Sequence, residues 1–181
     1  MRRLRAPPVS IASALSHTRA AFFSALVGDV PGIRKALDRG VPVDARNGRG
    51  QTLLHVACAN RRFDTARLLL EQGADPEVCS AIGFTPLTTA ILDADYQLPA
   101  LLLDHGADPD TPGPEGLTPL MLAAMLDNIV LVDLLLERGA SQDVALENGL
   151  TALSIAVGMG AQGAAQLLLA MHSVAVAGFR A

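Results

Sequence analysis

The sequence predicts an all-α fold, a solenoid of stacked helix-turn-helix units joined by β-hairpin-like loops. The first observation is a repeat period of 33 residues that runs through most of the chain. Periods between about 20 and 50 residues are typical of stacked-repeat architectures. Two further observations place the helices within each unit: a recurring threonine that can cap a helix, and a run of three leucines later in the unit.

The first helix of each unit is predicted to begin at the threonine. In Thr85-Pro86 and Thr118-Pro119, an N-cap residue precedes a proline at the first helical position, where its missing N–H costs nothing. A small alanine five residues after the threonine lets this helix lie close to its neighbours. The register holds over four units for the threonine, for a preceding glycine and for the alanine: Thr52, Thr85, Thr118 and Thr151; Gly50, Gly83, Gly116 and Gly149; Ala57, Ala90, Ala123 and Ala156.

The second helix carries the leucine run, which we expect in the core between helices. A glycine then ends the unit, at a place where the C-terminus of a helix favours a left-handed residue. The segment between this glycine and the next threonine is rich in Asp, Pro, Gly and Asn, which predicts an extended turn or hairpin. The leucines stand at 68–70, 101–103, 134–136 and 167–169, and the glycines are Gly40, Gly73, Gly106 and Gly139.

These motifs resemble those of ankyrin repeats. The resemblance rests on the segment Gly83-Phe84-Thr85-Pro86-Leu87, on Thr52-Leu53-Leu54-His55-Val56-Ala57, and on the unit endings Gly73-Ala74-Asp75 and Gly106-Ala107-Asp108. Four clear copies cover about residues 47–172, and a fifth, degenerate unit precedes them without the Thr-Pro cap. A divergent first unit suits a solenoid, because the end unit presents one face to water.

The predicted organisation is a flexible lead-in at residues 1–16 followed by one ankyrin repeat domain at 17–181. Its repeats are expected at about 17–46, which acts as a cap, and at 47–79, 80–112, 113–145 and 146–175. Arg2, Arg3, Arg5 and Arg19 stand in the first 19 residues without an acid, so export through a targeting segment is the alternative to a lead-in.

The chain departs from the family pattern at two places in the unit. Asn47, Ser80, Gly113 and Leu146 stand where ankyrin repeats usually begin the hairpin with aspartate. The last two hairpins are therefore expected to be looser, since glycine and leucine offer no side chain that can hydrogen-bond the turn. The histidine of the motif is present only as His55.

Composition excludes several classes of protein. The chain is 50% hydrophobic and 18% charged, which is too apolar for a disordered protein. Its apolar stretch at 117–136 contains Asp127 and Asp133, so no uninterrupted run reaches the roughly 18 residues of a membrane span. A net charge of −4 argues against nucleic-acid binding. We therefore expect a cytoplasmic protein, a monomer, with neither membrane nor nucleic acid as partner.

No constellation in the sequence indicates catalysis, a cofactor or a metal. Residues 158–163 match the dinucleotide-binding pattern G-x-G-x-x-G, but the repeat register makes the preceding segment a helix rather than a strand. The four histidines are scattered, Cys58 reads as a small buried hydrophobe, and Cys79 is expected to be exposed in a hairpin. Acids in one register are predicted to be turn residues: Asp44, Glu77, Asp110 and Asp143.

The resemblance implies that a partner protein binds the concave face, on the hairpin tips and the exposed side of the first helices. The sequence places apolar residues there over repeats 3–5, and such a row indicates an interaction site. The alternative is that these side chains only pack the hairpins together. The predicted partner-binding residues are Arg46, Arg49, Gln51, Ile82, Phe84, Leu92, Leu117, Met125, Leu126, Leu150 and Met159.

The resulting functional expectation is a non-catalytic protein-interaction module, an adaptor or scaffold that binds another protein and no small-molecule substrate. A regulator or accessory subunit of a neighbouring enzyme, or a bacterial effector that targets a host protein, is the alternative. The absence of a convergent nucleophile, base and orienting group makes direct catalysis the weaker hypothesis.

Overall fold

The computed structural model of the chain describes residues 11–93 and 95–178. These residues form five helix pairs, and among them there is no β-strand, only isolated bridges that join Arg46 to Thr52 and Ala145 to Thr151. The predicted all-α repeat solenoid is thereby confirmed. The helices are α1 (Ile11–Val27), α2 (Val30–Asp38), α3 (Leu53–Ala59), α4 (Phe63–Glu71), α5 (Pro86–Leu92), α6 (Gln97–Asp104), α7 (Pro119–Met125), α8 (Ile129–Glu137), α9 (Ala152–Met159) and α10 (Gln162–Gly178).

The predicted threonines cap the first helices of units two to five. The hydroxyl of Thr52 accepts from the backbone N–H of His55, and the same bond forms three residues after each threonine in the later units. The reciprocal bond, from the threonine N–H to the side chain at that third position, forms with His55, Thr88 and Ser154. Met121 has no oxygen or nitrogen to accept it, so α7 is capped on one side only.

The core lies between the two layers of helices. First helices pack against one another in the order α1, α3, α5, α7 and α9, while second helices pack behind them. The middle leucine of each predicted run is fully buried, and so is the alanine of each first helix, because the layers can approach only where that side chain is small. The buried residues are Leu69, Leu102, Leu135, Leu168, Ala57, Ala90, Ala123 and Ala156.

The turns that follow the second helices form a ladder that the sequence analysis missed. The Asp44 carboxylate accepts from the backbone N–H of Asp75 (3.2 Å), and Glu77 accepts from Asp108 N–H (2.9 Å). Asp110 accepts in the same way from the N–H of Ser141 (2.9 Å). These acids were predicted to serve turns within their own units, but each one also ties its unit to the next.

The N-terminal boundary of the helical region differs from the prediction. Helix α1 begins at Ile11, so residues 11–16, expected to be a flexible lead-in, are helical. The segment is rich in alanine, the strongest helix former, and Leu15 lies on the same helix face as Arg19 and Phe22. Residues 1–10, which carry the other part of the predicted lead-in, lie outside the described residues.

The hairpins differ in what holds them together. Asn47 Oδ1 accepts from the N–H groups of Arg49 and Gln51, and Ser80 Oγ accepts from Phe84 N–H. The third hairpin lacks such a side chain at Gly113, and a short 3₁₀ turn at Pro114–Gly116 replaces it, with Glu115 at a φ of 60°. Gly113 and Leu146 thus make no side-chain bond of the kind that Asn47 and Ser80 make, but in the fourth hairpin Asn148 Oδ1 accepts from the N–H of Leu150 (3.1 Å). Looser packing of these two hairpins stays a prediction.

Candidate partner-binding surface

One face of the molecule combines the exposed sides of the first helices with the hairpins that precede them. We call it the inner face, and it is the face that the resemblance predicts to be concave. Of the predicted residues on it, seven are exposed: Arg46, Arg49, Ile82, Leu92, Leu126, Leu150 and Met159. Four are half-buried: Gln51, Phe84, Leu117 and Met125.

The half-buried hairpin residues have structural contacts of their own. The Phe84 carbonyl accepts from His55 Nε2 (2.9 Å), and the backbone N–H of Phe84 donates to Ser80. Leu117 packs against the core, and its carbonyl closes the hairpin with the N–H of Gly113 (2.8 Å). Packing, the alternative considered above, thus accounts for part of the surface of the Leu117 side chain, whereas these contacts of Phe84 are made by its backbone. Their contact with a partner stays a prediction.

A groove of about 760 Å³ opens between α1 and the first hairpin. Its α1 wall is largely apolar and its opposite wall belongs to the hairpin at 46–51 and to α3. Apolar atoms therefore line a space that solvent can enter, with polar groups at its rim. The apolar lining residues of α1 and α3 are Leu15, Phe22, Phe23, Leu26, Val56 and Ala59.

A second groove of about 380 Å³ continues along the inner face. Arg49 and Gln51 line both grooves, so the first hairpin separates them without isolating them. The second groove then runs past Ile82, the side chain of which is 72% exposed, to Leu92 at the end of α5. Phe84 lines this groove too, so three of the predicted apolar residues lie in one depression of the surface.

The arginines of the first hairpin are held differently. The Arg46 guanidinium donates to the carbonyl of Cys79 (3.0 Å), which fixes it against the second hairpin. Arg49 is exposed, and its backbone carbonyl accepts from the N–H of Ala81 (3.0 Å). Within residues 11–93 and 95–178, ion pairs join Arg61 to Asp95 and Arg138 to Asp104. Neither arginine of the first hairpin belongs to those pairs.

His55 is a structural residue beneath this face. Its Nε2 donates to the Phe84 carbonyl, so in the neutral ring Nδ1 is an acceptor, and it receives the N–H of Thr52 (3.2 Å). Burial is the main cause that lowers the pKa of His55; the bond to Phe84 opposes the shift and the charge of Arg46 adds to it. The imidazole therefore stays neutral and joins two repeats.

The other candidate residues for chemistry have structural surroundings. Cys58 is fully buried, and burial raises the pKa of its thiol to about 12, while Cys79 is exposed as predicted. His105 Nδ1 donates to the Leu101 carbonyl (2.9 Å) at the end of α6. In the part of the chain that the structure describes, no group of three or more His, Cys, Asp or Glu side chains could hold a metal ion.

The glycine pattern at 158–163 lies in a helical context. It covers the end of α9, a left-handed turn at Gly160 and the start of α10, so no strand precedes it. The dinucleotide-binding reading therefore lacks its βαβ unit. None of the described helices is both long enough and apolar enough to cross a membrane.

Sequence reasoning missed the contribution of α1 to the inner face. Leu15, Phe22 and Leu26 follow one another at spacings of seven and four, which put them on one helix face. That stripe was a usable signal. The segment was assigned to a degenerate first unit without use of this stripe, and Ala21 and Ala25 are the fully buried residues of the helix.

Comparison with known proteins agrees with this architecture. The family model described as ankyrin repeats (3 copies) matches residues 21–113 and again 98–176. A putative ankyrin repeat protein of fowlpox virus (strain NVSL) is 38% identical over 52 residues, which cover 29% of this chain and 7% of the viral protein. The chain thus matches only a small part of that relative's length.

Ankyrin repeats are in general protein-protein interaction modules, and the family is typically non-catalytic. The two matches together span most of the five helix pairs. This chain therefore belongs to the ankyrin repeat family.

Proposed function

We propose that this chain is a non-catalytic adaptor or scaffold that binds a partner protein on its inner face. The partner's apolar residues contact the patch on repeats 3–5, and its acidic flank is drawn to Arg46 and Arg49. Binding of this kind requires no cofactor.

The observation that carries the proposal is a set of exposed apolar side chains on the inner face. Ile82 is 72% exposed and Leu92 47%, and Leu126, Leu150 and Met159 are also exposed. Single exposed hydrophobes are common, but several on one face indicate an interaction site. Leu92 and Met159 lie on the first helices α5 and α9, Leu126 follows α7, and Ile82 and Leu150 lie in the hairpins.

Site-specific photo-crosslinking in the cells that make the protein tests the proposal. A photoreactive residue at Leu92 or Met159 is expected to yield a covalent product with another protein. The same residue at Asp133, exposed on the outer helix α8, is the control and is expected to yield none. Equal products at inner and outer positions would contradict binding at the inner face.

A pair of substitutions supplies the second arm of this test. Ile82→Asp with Leu92→Asp is expected to abolish the crosslink from Met159, because it puts charge on the contacting apolar surface. These residues are better targets than Phe84 and Leu117, since the latter are half-buried. Leu169→Asp is the matched control: Leu169 is 52% exposed and lies on the second-layer helix α10. It is expected to leave the crosslink intact.

A further inference from the structure

The first repeat exposes more apolar surface than a capping role requires. A terminal repeat caps a solenoid when its outer face is polar. Here Leu15 is 62% exposed, Phe23 64% and Leu26 43%, and all three line the groove of about 760 Å³ beside the first hairpin. A cap of this composition leaves an apolar cleft open to solvent.

We propose that this groove between α1 and the hairpin at 46–51 holds a short peptide segment of the partner in which carboxylates flank apolar side chains. The inference rests on the proposed function and makes it more specific. It adds repeats 1 and 2 to the docking site, which then runs from the first repeat, as a wall of the groove, into the patch on repeats 3–5.

The positive charge around the groove favours an occupant that carries carboxylates. Arg19 on α1 and Arg46 and Arg49 on the hairpin line it, and none of the described residues that line it is acidic. The chain as a whole carries a net charge of −4, so the three arginines are a local concentration against the general charge of the molecule. Arginine binds carboxylates with two parallel hydrogen bonds, and a complementary charge also steers the encounter.

The same charge argues against two other occupants. Residues 1–10 of this chain contain Arg2, Arg3 and Arg5 and no acid, so the arginines of the groove would repel them. A nucleic acid would need basic residues spread along its phosphates, but the second groove continues the path with only Arg49 as a cation. A peptide with both acidic and apolar side chains fits the groove, because its carboxylates can pair with the arginines and its apolar side chains can contact the apolar wall.

The two grooves define the path that a bound peptide can follow. Because Arg49 and Gln51 line both grooves, a segment seated against Phe23 can pass the hairpin and reach Ile82 and Leu92. Two depressions that share Arg49 and Gln51 favour an extended segment with an apolar anchor in each. The two grooves thus form one path from α1 to α5.

Selection of displayed random peptides on the immobilised full-length chain tests this inference. The enriched peptides are expected to carry Asp or Glu on both sides of Leu, Phe or Trp. A fluorescein-labelled consensus peptide then serves as the probe in anisotropy titrations. Its affinity is expected to fall as salt concentration rises, since the arginines are solvent-exposed and screened.

Variants of the chain locate the probe. Arg19→Gln with Arg49→Gln is expected to weaken binding roughly five- to tenfold, the loss of two exposed ion pairs. Phe23→Ser is expected to weaken it as well. The matched controls lie on the outer helices: Arg34→Gln with Lys35→Gln also removes two positive charges, from α2, and Leu169→Ser removes an exposed hydrophobe from α10. Both controls are expected to bind the probe like the unmodified chain.

The outcomes separate this inference from the proposed function. Two results would overturn the inference and leave the proposed function standing. In the first, the enriched peptides lack acidic residues. In the second, the arginine and Phe23 variants leave the affinity unchanged, but Ile82→Asp with Leu92→Asp abolishes binding. Peptides that also survive those two Asp substitutions contradict both. Failure to enrich any peptide, or binding of an oligothymidine probe in place of the peptides, overturns the inference too.

A second copy of the chain as the occupant is tested by light scattering. The proposal expects a monomer at the concentrations of the titration. A dimer that the Arg19→Gln, Arg49→Gln variant dissociates would put another copy of this chain in the groove and would overturn the proposal.

Discussion

The two ends of the inner face are built by the same repeat, yet they differ in charge and shape. The first hairpin carries Arg46 and Arg49 beside a groove, whereas the corresponding hairpins of repeats 4 and 5 carry Glu115 and Glu147. Repeating positions make the stack, and the positions that do not repeat decide what each end can bind. The difference indicates a polarity: a peptide with carboxylates is favoured at the N-terminal end.

The largest expected effect is the loss of stability when a buried leucine is truncated, and it tests whether both ends share one core. Leu69→Ala in repeat 2 and Leu135→Ala in repeat 4 remove fully buried side chains, and each is expected to lower the free energy of unfolding by about 2–5 kcal/mol. Urea denaturation followed by circular dichroism measures it. Leu92→Ala, at an exposed position, is the control and should change it by less than about 0.5 kcal/mol. A small effect at one end only would show that the two ends fold separately.

The next effect concerns the acidic ladder between the units. Glu77→Ala removes the acceptor for Asp108 N–H and for the Thr111 hydroxyl (2.6 Å), and should cost roughly 1–2 kcal/mol in the same denaturation experiment. Asp143 has the same register, but within the described residues no amide of a following unit reaches its carboxylate. Asp143→Ala is therefore expected to be close to neutral. Equal losses in both variants would refute the ladder.

A smaller effect distinguishes the two ends by pH, because only repeat 2 has a histidine in the capping position. The folded-state pKa of His55 lies below its ordinary value of 6.5, so the unfolded chain binds the proton more strongly. The contribution of His55 to the free energy of unfolding is thus fully present above its ordinary pKa of 6.5 and decreases as the pH falls below 6.5. A proton on Nδ1 opposes the N–H of Thr52.

His55→Thr is the variant that checks this effect. Threonine stands at the same register as Thr88 and makes the same cap there, without a titrating group. Denaturation curves between about pH 7.5 and 5.5 should lose part of their pH dependence in the variant. An unchanged slope would mean that another group causes the dependence.

The smallest effects on stability come from the exposed inner face. Leu92→Asp and Leu150→Asp should each change the free energy of unfolding by less than about 0.5 kcal/mol, since both side chains are exposed in the folded state. Their effects on binding should differ, with the larger loss at Leu92, which lines the second groove. Equal losses at the two positions would remove the proposed polarity.

The helices and caps could be predicted from the sequence because each depends on residues within one unit. Thr85-Pro86 identifies the start of α5 by local chemistry, and the buried leucine of each run repeats at a fixed distance. The ladder from Glu77 to Asp108 could not be predicted in this way, since it joins residues 31 positions apart. The sequence shows that these acids recur at one position of the unit, but it does not show which backbone N–H each carboxylate accepts from.

The groove could not be predicted from the sequence either. The stripe of Leu15, Phe22 and Leu26 in α1 has the spacing of a core face, and only the position of the hairpin at 46–51 opens a space beside it. The half-burial of Phe84 and Leu117 also depends on tertiary structure, since Leu117 packs against the core and Phe84 lines the second groove. Apolar identity predicts which residues could contact a partner, which stays a prediction, whereas tertiary contacts decide how much of each side chain is accessible.

Chemical-shift perturbation on the isotope-labelled chain, with the selected peptide as the titrant, is the most direct test of binding at the inner face. We expect the largest amide shifts in α1, in the hairpin at 46–51 and at the end of α5, with small shifts in α4, α6 and α8. Shifts concentrated on those second-layer helices would contradict binding at the inner face.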